Sequence, residues 1–202
     1  MSAPVSPPCP LSEVTTDSRE VYKGRLLHAF SDTVRLPDGR QAQREYIVHP
    51  GAVMVIPLLE VPGCDEPRVV LERQFRYPMK QVMIEFPAGK LEPGENRLAC
   101  ARRELQEETG YRAREWALAG VIHPVISYST EFIEIWFARS LVAGSNRLDD
   151  GEFLEAFTAS VGELGQWCRE GQVTDAKTVA GMLWLQNVLS GAWELNWHTP
   201  ED

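Results

Sequence analysis

The chain has 202 residues, 44% of them hydrophobic, which is enough for one sizeable core and a small accessory element. Acidic residues outnumber basic ones 29 to 20, for a net charge of −9. That balance argues against a general nucleic-acid binder, so an anionic substrate must be met by bound metal and a few local arginines.

The first residues, MSAPVSPPCPLSE, are rich in Pro and Ser, and a disordered tail is expected over 1–12. They lack the basic start and apolar run of a signal peptide. Cys9, Cys64, Cys100 and Cys168 are scattered without C-x-x-C spacing, which suits a reduced, cytoplasmic protein without structural zinc. No apolar stretch is long enough to cross a membrane, so no membrane partner is expected.

Residues 13–50 are expected to form a small N-terminal β element. Arg25 to Leu36 gives one or two short strands, Pro37-Asp38-Gly39 a turn, and Gln41 to Val48 the returning strand. Two or three strands alone are marginal, so this sheet needs something to pack on. The main domain is placed at 51–202. Ala52 to Leu59 (AVMVIPLL) is a continuous apolar run, as in a strand buried on both faces. Arg68 to Phe75 and Met83 to Phe86 follow as strands.

A helix is predicted after Asn96, its N-cap, with Gly110 at the position that ends it. Leu98, Ala101 and Leu105 form its buried stripe. Strands are predicted over Glu115 to His123, Phe132 to Leu141 and Gly151 to Thr158. Two helices close the chain. One runs over Val161 to Glu170 and stops at Gly171. The other is capped by Thr174-Asp175 and carries Ala176, Val179, Ala180, Leu183, Trp184 and Val188 at helical spacing. This order suits α/β architecture, with an α/β/α sandwich around a mixed sheet.

The chemistry gathers in Gly89 to Tyr111, GKLEPGENRLACARRELQEETGY. Glu104, Glu107 and Glu108 stand at i, i+3 and i+4, on one face of the helix. They repel one another and sit in the last turn, where the helix dipole disfavours anions. A hard divalent cation removes that conflict, and such an ion usually shares itself with substrate phosphates.

The spacing is Gly89, five residues, Glu95, seven residues, Arg103-Glu104, Leu105, one residue, Glu107-Glu108, one residue, Gly110, Tyr111. It matches the Nudix box without departure, and the chain resembles a Nudix hydrolase. The resemblance implies hydrolysis of a nucleoside diphosphate linked to another moiety. It also implies a divalent cation, Mg²⁺ or alternatively Mn²⁺, on Glu104, Glu108 and the Ala88 carbonyl. Glu107 is implied as a further ligand or the holder of a metal-bound water. Arg103 and Glu95 are implied as an ion pair tying loop to helix.

Outside the box, ERQFRYP (Glu72 to Pro78) and IEFPAGK (Ile84 to Lys90) resemble the ADP-ribose pyrophosphatases. By that resemblance Arg76 contacts a substrate phosphate, and Glu85 orients ligands or pairs with an arginine. DDGEFLE (Asp149 to Glu155) resembles the loop that carries the subfamily's general base, which maps onto Glu152. Two stretches depart from the subfamily. HPVISYSTE (His123 to Glu131) lacks the usual glycine, although Glu131 still closes it. Leu26 stands where an aromatic often stacks on adenine, so Arg44 and Glu45 become candidates for contacting the base.

The implied reaction is cleavage of ADP-ribose to AMP and ribose 5-phosphate by a cytoplasmic homodimer. The N-terminal element would be packed or exchanged across subunits. Another nucleoside diphosphate derivative, such as a nucleotide sugar or dinucleoside polyphosphate, is the alternative. A silent ADP-ribose sensor would be expected to lose box glutamates, and Glu104, Glu107 and Glu108 are all present.

Overall fold

A computed structural model describes residues 9–63, 67–148, 151 and 153–200. The expected tail therefore lies outside the described residues as far as position 8. Beyond it, Ser12 N–H donates to the Cys9 carbonyl at 2.9 Å and closes a turn. The chain clusters into two units, Met1–His49 with Val125–Glu131, and Pro50–Pro124 with Phe132–Asp202.

The first unit is a three-stranded antiparallel sheet in the order β1 (Val14–Lys23), β2 (His28–Arg35), β3 (Gln41–Ile47). The β2–β3 turn is the expected one, with Gly39 at φ 87°. β1 lies inside the expected β element, but no separate strand is predicted there from the sequence. Its ten residues, VTTDSREVYK, are all exposed, so they carry no burial pattern to read. Backbone pairing to β2 holds this strand, helped by Ser18 Oγ donating to Asp32 at 2.6 Å. Residues 125–131 attach to β3, where Ile47 N–H donates to the Tyr128 carbonyl at 2.8 Å.

The second unit is built on β4 (Ala52–Leu59), the apolar run. Alternate residues serve opposite faces. Met54 and Ile56 join a core with Leu71, Phe86, Ile135, Phe137, Leu164, Met182 and Leu185. Val53 and Val55 join a second core with Cys100, Ala101, Leu105, Trp116 and Trp136. Helix α1 (Arg97–Thr109) supplies the second cluster, and α2 (Val161–Glu170) and α3 (Ala176–Leu189) supply the first. The result is the expected α/β/α sandwich. Among the described residues no helix is long and apolar enough to cross a membrane.

The remaining strands are β5 (Arg68–Arg76), β6 (Gln81–Glu85), β7 (Ala88–Lys90), β8 (Tyr111–Ile122), β9 (Ile133–Ala143) and β10 (Leu154–Ser160). The sheet runs β10-β5-β4-β9-β8, with β4 and β9 parallel and its other neighbours antiparallel. One detail positions the site. β5 pairs with β4 only at Leu58↔Val69 and Leu59↔Arg68. The start of β4 is left open to β7, which pairs there through Ala52↔Lys90, Val53↔Gly89 and Met54↔Ala88. Sequence patterning does not predict β7, because three residues are too few to show a period. β8 begins at Tyr111, four residues earlier than expected.

Candidate active site

Helix α1 is bounded as its caps dictate. The Asn96 side chain accepts from the N–H groups of Leu98 and Ala99. Gly110 ends the helix at φ 76°, a left-handed conformation that suits glycine. Cys100, Ala101, Leu105 and Glu108 are its buried residues. Glu108 is therefore a carboxylate on the packed side of the helix. Its Oε2 accepts the Ala88 N–H at 3.0 Å, which ties the last turn of α1 to β7.

Glu104 lies one turn earlier against the same strand. A Cβ built at position 89 would overlap the Glu104 carboxylate, so glycine leaves the space that this carboxylate fills. The Glu104 side chain is 12% exposed and that of Glu107 is 30% exposed. Arg103 spans the group. It grips Glu95 through Nε at 2.9 Å and Nη2 at 3.0 Å. Its Nη1 reaches Glu104 at 2.8 Å and Glu107 at 3.1 Å. The expected Glu95–Arg103 pair is present, and the same guanidinium also offsets two of the clustered charges.

Strands β5 and β6 bring further groups to this region. Arg76 donates to both oxygens of Glu85, at 2.7 and 2.8 Å, a bidentate fork of the strong kind. Glu85 also accepts from Lys177 of α3. Glu72 is fully buried and stands opposite Glu85 in the β5–β6 register. Neither of its oxygens meets an N–H or hydroxyl donor among the described residues. Its acidic neighbours are Glu85 and Glu108.

A family model described as the NUDIX domain matches residues 48–181. The chain belongs to the Nudix family. A second model, the nucleoside diphosphate sugar hydrolase N-terminal domain, matches residues 13–47 of this Nudix protein. It is 35% identical to a methanol dehydrogenase activator of Bacillus methanolicus, over 86% of this chain and 92% of that one. It is 32% identical to an ADP-ribose pyrophosphatase of Bacillus subtilis, over 87% and 94% respectively. A crystal structure of an ADP compounds hydrolase has the same fold, with a TM-score of 0.78 at 22% identity over 90% of this chain.

The residues of the Nudix box suit a hard cation by their chemistry. Carboxylates from one helix face and the β7 backbone lie together, beside a buried carboxyl that lacks a donor. Among the described residues no three acidic, His or Cys side chains already close around a cation position. Arg103 accounts for part of this, since its Nη1 is bonded to both Glu104 and Glu107.

The charges follow from these contacts. The Arg103 fork holds Glu95 down at about 2. Burial pushes the Cys100 thiol up to about 12, which makes it inert. For Glu85, burial acts to raise the pKa, but Arg76 and Lys177 outweigh it and hold the carboxyl below its usual range. Glu72 is pushed up to about 8, by burial first and then by the Glu85 carboxylate.

That shift has a sign. Between the ordinary carboxylate range and about 8, folded Glu72 keeps a proton that the unfolded chain releases, so stability falls as pH rises through this window. In metal-free protein Glu72→Gln is expected to raise Tm at pH 8 by roughly 5 °C, a gain on the order of 2 kcal/mol. The gain should vanish towards pH 4. Thermal melts in EDTA across this range test it, and a gain independent of pH would rule out the ionisation origin.

Among the other candidates, Arg44 pairs with Glu13 through Nε at 2.8 Å and Nη2 at 2.5 Å. Glu45 lies beside it on β3, and Leu26 is 55% exposed before β2. Glu131 lies 3.9 Å from His49. All four belong to the first unit, whereas Arg76, Ala88, Glu104, Glu107 and Glu108 belong to the second. Glu152 lies outside the described residues. Sequence reasoning missed Glu72 and Lys177. The signal for Glu72 was a lone acid following the apolar run Val69 to Leu71 in a strand.

Proposed function

We propose that this protein hydrolyses the diphosphate bond of ADP-ribose, giving AMP and ribose 5-phosphate, with Mg²⁺ or Mn²⁺ bound. The observation that carries the reading is the pairing of Glu104 with Gly89 and of Glu108 with the Ala88 N–H, which gathers carboxylates at one strand. The names of relatives at 32% and 25% identity, both ADP-ribose pyrophosphatases, support the substrate class.

In this reading Glu104, Glu107, Glu108 and the Ala88 carbonyl hold the cation. When bound, such an ion polarises phosphoryl oxygens and lowers the pKa of water. The protein's own groups do the rest. Arg76, fixed by Glu85, donates to a non-bridging phosphate oxygen. Glu152 takes the proton from the attacking water. The P–O bond to the leaving phosphate breaks as the new P–O bond forms. Glu152→Gln is expected to lower kcat about a hundredfold with little change in KM. A rise in KM alone would make Glu152 a binding residue instead.

A cytoplasmic homodimer completes the proposal. Leu26, Arg44, Glu45 and Glu131 are offered to the nucleoside or terminal ribose, with the first three reaching the partner subunit's site. A protein that sediments as a monomer at micromolar concentration would remove that part.

A second reading keeps the reaction and changes the substrate to a nucleotide sugar or dinucleoside polyphosphate. The glycine-free segment His123 to Glu131 favours it, as does the sugar-hydrolase description of the N-terminal match. Initial rates over a panel of these compounds, with Mg²⁺ and with EDTA, decide between the two. A higher kcat/KM for another compound would end the ADP-ribose reading. Full turnover in EDTA would end the metal-dependent one.

A further inference from the structure

Lys177 is almost buried, with a side chain 11% exposed, yet it keeps its charge. Burial acts to lower its pKa, but Asp175 and Glu85 outweigh this and raise it. Its Nζ donates to Glu85 Oε2, and to Asp175 Oδ2 at 3.0 Å.

Both partners are anchored. Asp175 is the N-cap of α3, and its Oδ2 also accepts from Thr178 N–H at 3.0 Å and Thr178 Oγ1 at 2.7 Å. Thr178 Oγ1 in turn accepts the Phe86 N–H at 3.1 Å. The start of α3 is thus stitched to the residue after β6. On its other side Glu85 carries the Arg76 fork. Asp175, Lys177, Glu85 and Arg76 form one row of alternating charge, running from a helix cap to the arginine.

The row has a consequence for Arg76. A carboxylate paired with a single guanidinium would cancel most of its charge. Here Glu85 divides its charge between Arg76 and Lys177, so it cancels less of the Arg76 charge than it would in a single pair. The fork uses Nε and Nη2 of Arg76, so Nη1 makes neither bond to Glu85. We infer that Lys177 is a positioning residue for the reaction: it holds Glu85 and shares its charge, so that Arg76 presents an oriented guanidinium to the substrate diphosphate. This rests on the reading of Arg76 as a phosphate ligand given above.

The test is a double-mutant cycle on full-length protein with ADP-ribose and Mg²⁺. Arg76→Ala should raise KM about tenfold or more. Lys177→Met should raise KM by roughly 5- to 20-fold, with kcat changed less than about threefold. In the Arg76→Ala background the same Lys177→Met should change KM less than about twofold. Lys177→Arg, which keeps the charge, should stay nearer wild type than Lys177→Met. Should Lys177→Met fail to fold, Lys177→Gln removes the charge but keeps a donor to Glu85; it should raise KM less than about tenfold, and by less than about twofold in the Arg76→Ala background.

Equal effects of Lys177→Met in both backgrounds, or an effect on kcat alone, would overturn the inference and leave the phosphate role of Arg76 standing. An unchanged KM in Arg76→Ala would overturn that role, and the inference with it.

Discussion

Glu108→Gln is expected to lower kcat by about a thousandfold or more, and Glu104→Gln by a similar factor. The amide keeps the volume and one acceptor oxygen but removes the charge. A divalent cation shared with a diphosphate depends on that charge, because little covalent chemistry falls to the protein in phosphoryl transfer. The two variants should differ in stability. Glu108 is 3% exposed and its Oε2 accepts the Ala88 N–H, and a glutamine oxygen can still accept there. Glu104 loses its ion pair with Arg103, which also holds Glu95 and Glu107, so one contact of several goes. Both proteins should fold. Steady-state rates with Mg²⁺, alongside thermal melts, test this. Near-normal turnover in either variant with an intact fold would count against the cation assignment.

Gly89→Ala is expected to separate activity from stability. A Cβ at 89 overlaps the Glu104 carboxylate, which is the far end of a flexible side chain. Gly89 is not among the residues with positive φ, so alanine meets no backbone strain there. Glu104 must therefore swing aside, at a modest cost in stability of about 1 kcal/mol. Its oxygen leaves the position beside β7, and a misplaced ligand is costly to catalysis. We expect kcat to fall by about a hundredfold while Tm shifts by only about 3 °C. Isothermal titration with Mn²⁺ gives a second readout and should show weakened binding. If Gly89→Ala were as active as the wild type, the packing of Glu104 on β7 would not be part of the site.

Much of this was legible beforehand because its causes are local. Asn96 and Gly110 bound the box helix, and each acts through bonds to residues within four positions of itself. The run AVMVIPLL contains no polar residue, and a strand of that kind needs cover on both faces, so a sandwich followed. The Glu95–Arg103 pair is also short-range, eight residues apart.

What escaped lacked a local signal or depended on distant partners. β1 is exposed along its whole length, so no apolar period marks it. β7 exists because β5 diverges from the start of β4, a property of the sheet rather than of Ala88–Lys90. The triple role of Arg103 depends on the rotamers of three glutamates. Lys177 and Glu85 are 92 residues apart, and neither flank announces the other. Glu72 reads as an ordinary strand residue until the fold buries it where, among the described residues, no N–H or hydroxyl donor meets it.

By itself, the sequence determined the box, its helix with both caps, the central apolar strand and the Nudix family, since each is written in spacing over a few residues. Only the tertiary structure decided which carboxylate is buried, that the Glu104 carboxylate fills the space a side chain at 89 would take, and how a lysine at the head of the last helix meets the glutamate that holds the arginine on β5. Those depend on groups brought together across the sheet, where packing and charge compensation select the neighbours.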